Sequence, residues 1–441
     1  MYIPLDQIYN YLGEIIDPDI LIYRFLPHGS KNLEDLSLLR YHNRPYRELR
    51  ELPVLIMHDQ EPLSFDFYNQ DYLREHMSRW LQTRKIPGLE QCMNIPELAD
   101  FLTSRNLNFV AAVGQSWVLY DNNIIVHSEM NSVEVDKYEQ SGLYGVYWWS
   151  HAMIARDWYR YAAIDPQLQN LPKTYTIDFN IYNRAWLGTR EYRLLFADLI
   201  IENNLVASSN IKFNPWDADG HYLNHQFKNP QFRPKHDLTQ LPINEYTATA
   251  SADYASKDYQ TAWFDVVLET LFDDTRQHLT EKILRPIACG KPFILVGTAG
   301  CLKYLHSYGF KTFASIIDES YDSIVDPVER MHAIMQCMCE IQSWSNDRKH
   351  LAQIEIEKIT AHNRARFFSQ QFADQVLQEL LDNFDTAKSK CDQHKHGQNI
   401  LTMRRLAAQD PEMKKPLLKF NERRTKQDLI NLLSKCRRPQ Q

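Results

Sequence analysis

Trp263-Phe264-Asp265-Val266-Val267-Leu268-Glu269, Thr280-Glu281-Lys282-Ile283-Leu284-Arg285-Pro286-Ile287-Ala288-Cys289-Gly290 and Lys291-Pro292-Phe293-Ile294-Leu295-Val296-Gly297 follow one another as buried strand, helix and strand. The first and third are short apolar runs, and the second has a capping Thr at its start and a glycine at its end. A helix over 301–309 and a strand over 310–316 extend the series. Strand, helix, strand, helix, strand at short spacing builds an open parallel sheet that takes ligands at the carboxyl ends of its strands.

The same alternation runs upstream. Apolar segments at 19–26, 53–59, 108–114, 123–128 and 144–150 alternate with helical patterns at 66–85, 96–104, 131–142 and 151–165, the pattern of a parallel sheet covered by helices. It breaks at 165–173, where two prolines fall among polar residues, and a fresh strand begins in 173–184. Residues 188–205 read as a helix, 214–237 as a long excursion, and 326–390 as almost wholly helical. At 441 residues the chain exceeds what one core accommodates, so two domains facing a cleft are expected. The sequence divides into Rossmann-like α/β domains at 1–172 and 173–325, a helical closing segment at 326–390 and a basic tail at 391–441.

Composition excludes several classes. Hydrophobic residues at 44% and charged residues at 24% are those of a globular protein, and no apolar run approaches the ~20 residues of a membrane span. The acidic amino terminus lacks the pattern of a secretory signal, and seven scattered cysteines give no disulfide framework, so a cytoplasmic protein with reduced thiols is expected. The net charge of -7 is unevenly placed: from Lys388 onward fourteen Lys or Arg face five Asp or Glu, about +9, leaving about -16 for the remainder. Such a tail can hold a polyanion through phosphate contacts, or simply form a solvated helix. Glycine-rich nucleotide loops, the nucleophile elbow and the zincin motif are absent from the sequence, which removes the usual support for dinucleotide enzymes, P-loop ATPases, serine hydrolases and zinc proteases.

Glu269 ends a strand, and Thr280, Glu281 and Lys282 open the next helix at the same crevice. Free N–H groups at a helix start suit a diphosphate, Lys282 adds positive charge, and Glu269 or Glu281 can accept from ribose or sugar hydroxyls. The three residues also make an ordinary helix start. Asn183 and Arg184 at a strand end, Arg190 at a helix start, and Gly297 and Gly300 after the following strand complete the expected nucleotide-binding set. In the amino-terminal half, Asp59 and Glu61 follow one strand, and His127 and Glu129 another. Either pair is placed to deprotonate an acceptor hydroxyl, or to cap a helix or tie a loop. Asp217-Ala218-Asp219 matches the Asp-x-Asp pattern by which carboxylates share a hard cation, but no carboxylate cluster surrounds it, so it reads as loop chemistry and no metal site is expected.

In order and rough spacing, Leu268-Glu269-Thr270, His278-Leu279-Thr280-Glu281-Lys282 and Gly290-Lys291-Pro292-Phe293-Ile294 resemble the donor-binding motif of alpha-1,3-fucosyltransferases. The likeness covers about 40 residues, lacks that family's Asn-Ser after the first strand and has a slightly longer loop. The chain is also similar to uncharacterised bacteriophage and marine bacterial proteins through His58-Asp59-Gln60-Glu61-Pro62-Leu63, His127-Ser128-Glu129 and Trp148-Trp149-Ser150-His151. The first resemblance implies a metal-independent glycosyltransferase of the two-domain GT-B kind. Glu281 and Lys282 would contact a nucleotide-diphosphate sugar, a GDP-sugar before a UDP-sugar, while Arg184 or Arg190 grips the phosphates. No permanently bound cofactor is implied. The acceptor would be a glycan, a lipid-linked sugar or a protein. The basic tail and abundant aromatics also fit a bacteriophage type that glycosylates a hydroxymethylated DNA base, and loss of Asn-Ser fits a non-catalytic binding protein that keeps the fold.

Overall fold

The computed structural model describes residues 21–24, 54–58, 60–66, 123–140, 143–172, 174–183, 185–218, 220–243 and 252–409, together with Leu12 and Ile16. Asp59, Arg184, Asp219, nearly all of the helix expected at 66–85, the segments expected at 96–104 and 108–114, and the tail from 410 onward lie outside the described residues. By compactness the chain divides into two units, residues 1–384 and 385–441. Residues 385–409 of the second are helical.

The first unit is mixed α/β with two four-stranded parallel sheets. In one, β1 (Leu21–Arg24), β2 (Val54–Met57), β3 (Asn123–His127) and β4 (Tyr144–Tyr147) lie side by side in chain order. Helix α1 (Val133–Gln140) joins β3 to β4, and α2 (Ser150–Trp158) follows β4. The break at 165–173 opens with a helical turn, α3 (Pro166–Gln169), where the Asp165 carboxylate accepts from the Gln167 N–H and Pro166 takes the first position, a place where its missing N–H costs nothing.

The second sheet comprises β5 (Ile177–Tyr182), β6 (Ser209–Lys212), β9 (Ala262–Leu268) and β10 (Phe293–Val296) in the spatial order β10-β9-β5-β6, all parallel. From β5 the chain passes through α4 (Tyr192–Glu202) to β6, makes the small ribbon β7 (Trp216–Asp217) and β8 (Gly220–His221), then returns through α5 (Ser256–Thr261) to β9 on the other side of β5. Reversal of direction between β5 and β9 opens a crevice at their carboxyl ends, the usual ligand position in such sheets. Every residue of β9 and β10 is buried, as both faces of a covered parallel sheet demand. Tyr192 through Ile200 of α4 are likewise buried on all sides, so this helix shows no polar face.

Helices α6 (Glu281–Cys289) and α7 (Cys301–Ser307) frame β10 in sequence. Thr280 caps α6 by accepting from the Lys282 N–H, and Gly290 ends it at φ 72°, a conformation that a side chain would strain. The strand expected at 310–316 is not formed. Asn363, on a later helix, accepts from the Lys311 N–H and donates to its carbonyl, both at 2.8 Å, and so takes the pairing a neighbouring strand would give. Phe313 instead points into the core against Phe264 and Phe293. Helices α8 (Pro327–Ser343), α9 (Asn346–Phe368) and α10 (Gln370–Gln409) follow, with Asp326 and Ser345 capping the first two. No helix among the described residues is long and apolar enough to cross a membrane.

Candidate functional site

The carboxyl ends of β5 and β9 are stitched together by Arg193, a residue of α4 that is 2% exposed. Its guanidinium donates to the carbonyls of Ala185, Leu268 and Glu269, while Tyr192 donates its hydroxyl to the Glu269 carbonyl at 2.5 Å. Asn183, expected to face the nucleotide, is buried and donates its amide to the Arg193 carbonyl at 3.1 Å. Arg193 therefore organises the crevice backbone. Its sequence position three residues after Arg190 carries no separate signal in a helix made mostly of apolar residues.

At the start of α6, Glu269 turns both carboxylate oxygens onto Thr280. One accepts from the Thr280 N–H at 3.2 Å and the other from its hydroxyl at 2.7 Å. The Lys282 ammonium in turn lies 3.1 Å from the Thr280 hydroxyl and 3.1 Å from a Glu281 oxygen. The other Glu281 oxygen lies 3.2 Å from Nδ1 of His151, whose Nε2 donates to the Gln60 carbonyl at 3.1 Å. Burial raises the Glu269 pKa against the pull of Lys282 and Thr280. Burial would raise Glu281 too, yet Lys282 and His151 outweigh it and hold that carboxyl well below the usual range. Gly297 gives its carbonyl to Arg330 at 3.1 Å, and a Cβ there would stand 3.1 Å from the Cys301 sulfur. Gly300 has φ +86°, a backbone conformation that a side chain would strain, and a Cβ there would push on the Gln277 amide at 2.7 Å.

Residues 276–281 are laid against the carboxyl ends of β2, β3 and β4. Met130 and Gln277 pair through their backbones in both directions, at 2.9 and 3.1 Å. Arg276 reaches the Glu129 carboxylate at 2.9 Å and the Leu63 carbonyl at 2.7 Å. Burial opposes the Arg276 charge, but hydrogen bonding to Asp274 and the charge of Glu129 outweigh it and raise its pKa. Ser132 and the Leu63 N–H complete the shell around Glu129, at 2.5 and 2.7 Å. The Ser128 hydroxyl stands 3.2 Å from His278 Nδ1, and the Trp149 indole donates to the Leu279 carbonyl at 2.8 Å. His127 is buried beside Gly145, and burial lowers its pKa to about 3; burial lowers His58 to about 4 against the opposing charge of Glu61. Both rings are neutral at physiological pH.

Exposure sorts the expected residues by whether they can meet a ligand. Glu61, Arg190 and Lys282 keep 27, 26 and 25% of their side chains exposed, whereas His127, Glu129, Asn183, Glu269, Thr280 and Glu281 are buried. Arg190 and Glu61 stand 3.5 Å apart. Glu61 and Lys282 both act electrostatically on the buried His278 ring, which brings the three exposed charges to one neighbourhood. In the excursion, Asp217 accepts from the N–H groups of Trp186 and Leu187 at 2.9 and 3.2 Å, so this half of the Asp-x-Asp pattern ties a loop. Nothing in the sequence singles out Arg276, which falls in the loop between Glu269 and Thr280, or His151 beyond its place in Trp148-Trp149-Ser150-His151. His278 stood in the quoted motif without a role.

No protein-family model matches the chain, and no curated protein matches it.

Proposed function

We propose that the chain transfers a sugar from a nucleotide diphosphate to a hydroxyl acceptor without a metal, using the two sheets as the halves of a GT-B arrangement. The observation that carries this reading is the grouping of Lys282 and Arg190, both part-exposed cations, near the helix start that follows β9. Cations and helix N–H groups neutralise a departing diphosphate in the manner of an oxyanion hole. Glu61, the exposed carboxylate of the group, is the base that takes the acceptor proton. His127 and Glu129 are buried, and they hold the strand ends in place. The donor is a GDP-sugar, with a UDP-sugar as the alternative, and the acceptor is a glycan, a lipid-linked sugar or a protein. A screen of GDP-, UDP- and CDP-sugars for donor hydrolysis tests the reading, with hydrolysis of at least one donor expected and lost in Glu61→Gln.

One observation favours a second reading, a non-catalytic binding protein that keeps the fold. The Glu269 carboxylate already accepts from Thr280 at the start of α6, where a phosphate oxygen would otherwise sit. A protein of that kind hydrolyses no donor in the same screen and binds no nucleotide by calorimetry.

A further inference from the structure

Arg285 projects from α6 toward β9 and is 7% exposed. Its guanidinium forms no hydrogen bond and no ion pair among the described residues, and its Nε is fully enclosed without a partner. The fold answers its other deeply buried arginines completely differently. Arg193 bonds three carbonyls, and Arg330 bonds those of Phe272, Gly297, Ile324 and Val325.

The surroundings of Arg285 are aromatic and short of acceptors. The Tyr182 ring lies 4.1 Å from the guanidinium carbon. Tyr259, Tyr159 and Asp265 also lie close enough to act on it, the tyrosines as neutral phenols and Asp265 as the one carboxylate among them. Asp265 is the carboxylate of this set, and it is already engaged: one oxygen accepts from Asn180 at 3.3 Å and the other from the Tyr259 hydroxyl at 3.1 Å. Lys291, 2% exposed, acts on the same carboxylate and donates to the carbonyls of Tyr259 and Ala262. Two buried cations thus share one carboxylate; the Nε of Arg285 is enclosed and unanswered, and its terminal nitrogens meet no protein acceptor among the described residues. A buried guanidinium is costly unless its N–H groups meet acceptors, and its planar fork matches an oxyanion in a bidentate manner.

We propose that Arg285 anchors a binding site for a small oxyanion, a carboxylate or phosphate group held by the guanidinium beside the Tyr182 ring. Arg285 lies one turn along α6 from Lys282, and the proposal does not depend on the glycosyltransferase reading.

The test uses the full chain carrying Lys282→Ala and Arg190→Ala, which silences the exposed cations. Thermal unfolding is followed with inorganic phosphate, acetate or chloride at constant ionic strength. Phosphate or acetate is expected to raise the midpoint above that in chloride, and the effective anion tells the two chemistries apart. The rise disappears on adding Arg285→Gln or Arg285→Met. No anion-specific rise, or a rise that survives the Arg285 changes, overturns the proposal. Because those changes risk unfolding the chain, selenate soaked into crystals of the wild-type protein gives a second reading. An anomalous selenium peak beside Arg285 is expected, and its absence at saturating selenate contradicts the site.

Discussion

The Arg190 guanidinium and the Glu61 carboxylate stand 3.5 Å apart, so the expected phosphate grip and the expected base neutralise one another before any ligand arrives. Both are about a quarter exposed, and such pairs contribute about 0.2–1 kcal/mol. A diphosphate drawn to Arg190 must compete with Glu61, and in winning it releases the carboxylate from this ion pair.

Glu61→Gln is therefore expected to bind diphosphate more tightly than wild type, by up to about five-fold, while losing turnover, the affinity gain reflecting the ion pair removed. Calorimetry with GDP and with UDP checks it. Weaker binding in the variant would mean that Glu61 itself contacts the nucleotide.

Arg276→Met leaves the buried Glu129 carboxylate without its cation, and removing one partner of a buried pair costs about 3–5 kcal/mol. Urea unfolding should show a loss of that order. Adding Glu129→Leu should recover much of it, because the apolar pair leaves no uncompensated charge. A double variant no better than the single one would place the stability elsewhere in this shell.

Much of this was legible in the sequence, and the misses have physical causes. Glu269, Thr280 and Lys282 lie together, because a strand end and the following helix start share one edge of a parallel sheet. Their mutual bonding was not legible, since nothing in a one-dimensional pattern tells whether a carboxylate faces a ligand or caps the helix beside it. The strand expected at 310–316 failed because Phe310, Phe313 and Ile316 are spaced by burial alone, while Asn363, some fifty residues later, supplies the backbone pairing. Arg276 and His151 pair with residues more than 100 positions away in sequence, Glu129 and Glu281 respectively. Such long-range partners leave no local periodicity.

Thr280→Ala removes the cap of α6 and also strips the Glu269 carboxylate of its hydroxyl donor. Loss of a cap costs about 0.5–2 kcal/mol, and the buried carboxylate left short of a donor adds to it. A lowered thermal midpoint is expected, with Thr280→Ser close to wild type. Equal midpoints for Ala and Ser would show that the hydroxyl contributes nothing.

Acid should weaken the fold through its buried histidines. His127 has its pKa lowered from 6.5 to about 3. The unfolded chain therefore takes up a proton that the native state refuses between these values. Its contribution to stability is complete above pH 6.5 and declines as pH falls toward 3. His58, lowered to about 4, adds in the same direction. Asp265, raised by burial to about 6, opposes them, since its contribution is present below 3.8 and lost as pH rises through 6. Comparing wild type with His127→Gln isolates one group: the stability difference should be constant above pH 6.5 and shift against the wild type on acidification. A difference independent of pH would show that the ring titrates as in the unfolded chain.

Calorimetric titration of the wild-type chain with GDP and UDP, set beside Lys282→Ala, bears most directly on the proposed donor site. Saturable binding of at least one nucleotide is predicted. It should weaken about ten- to hundred-fold in the variant, the loss expected for a charged hydrogen bond of about 1.5–3 kcal/mol. No binding to the wild type, or equal binding by both proteins, would contradict the assignment of a pyrophosphate to the start of α6.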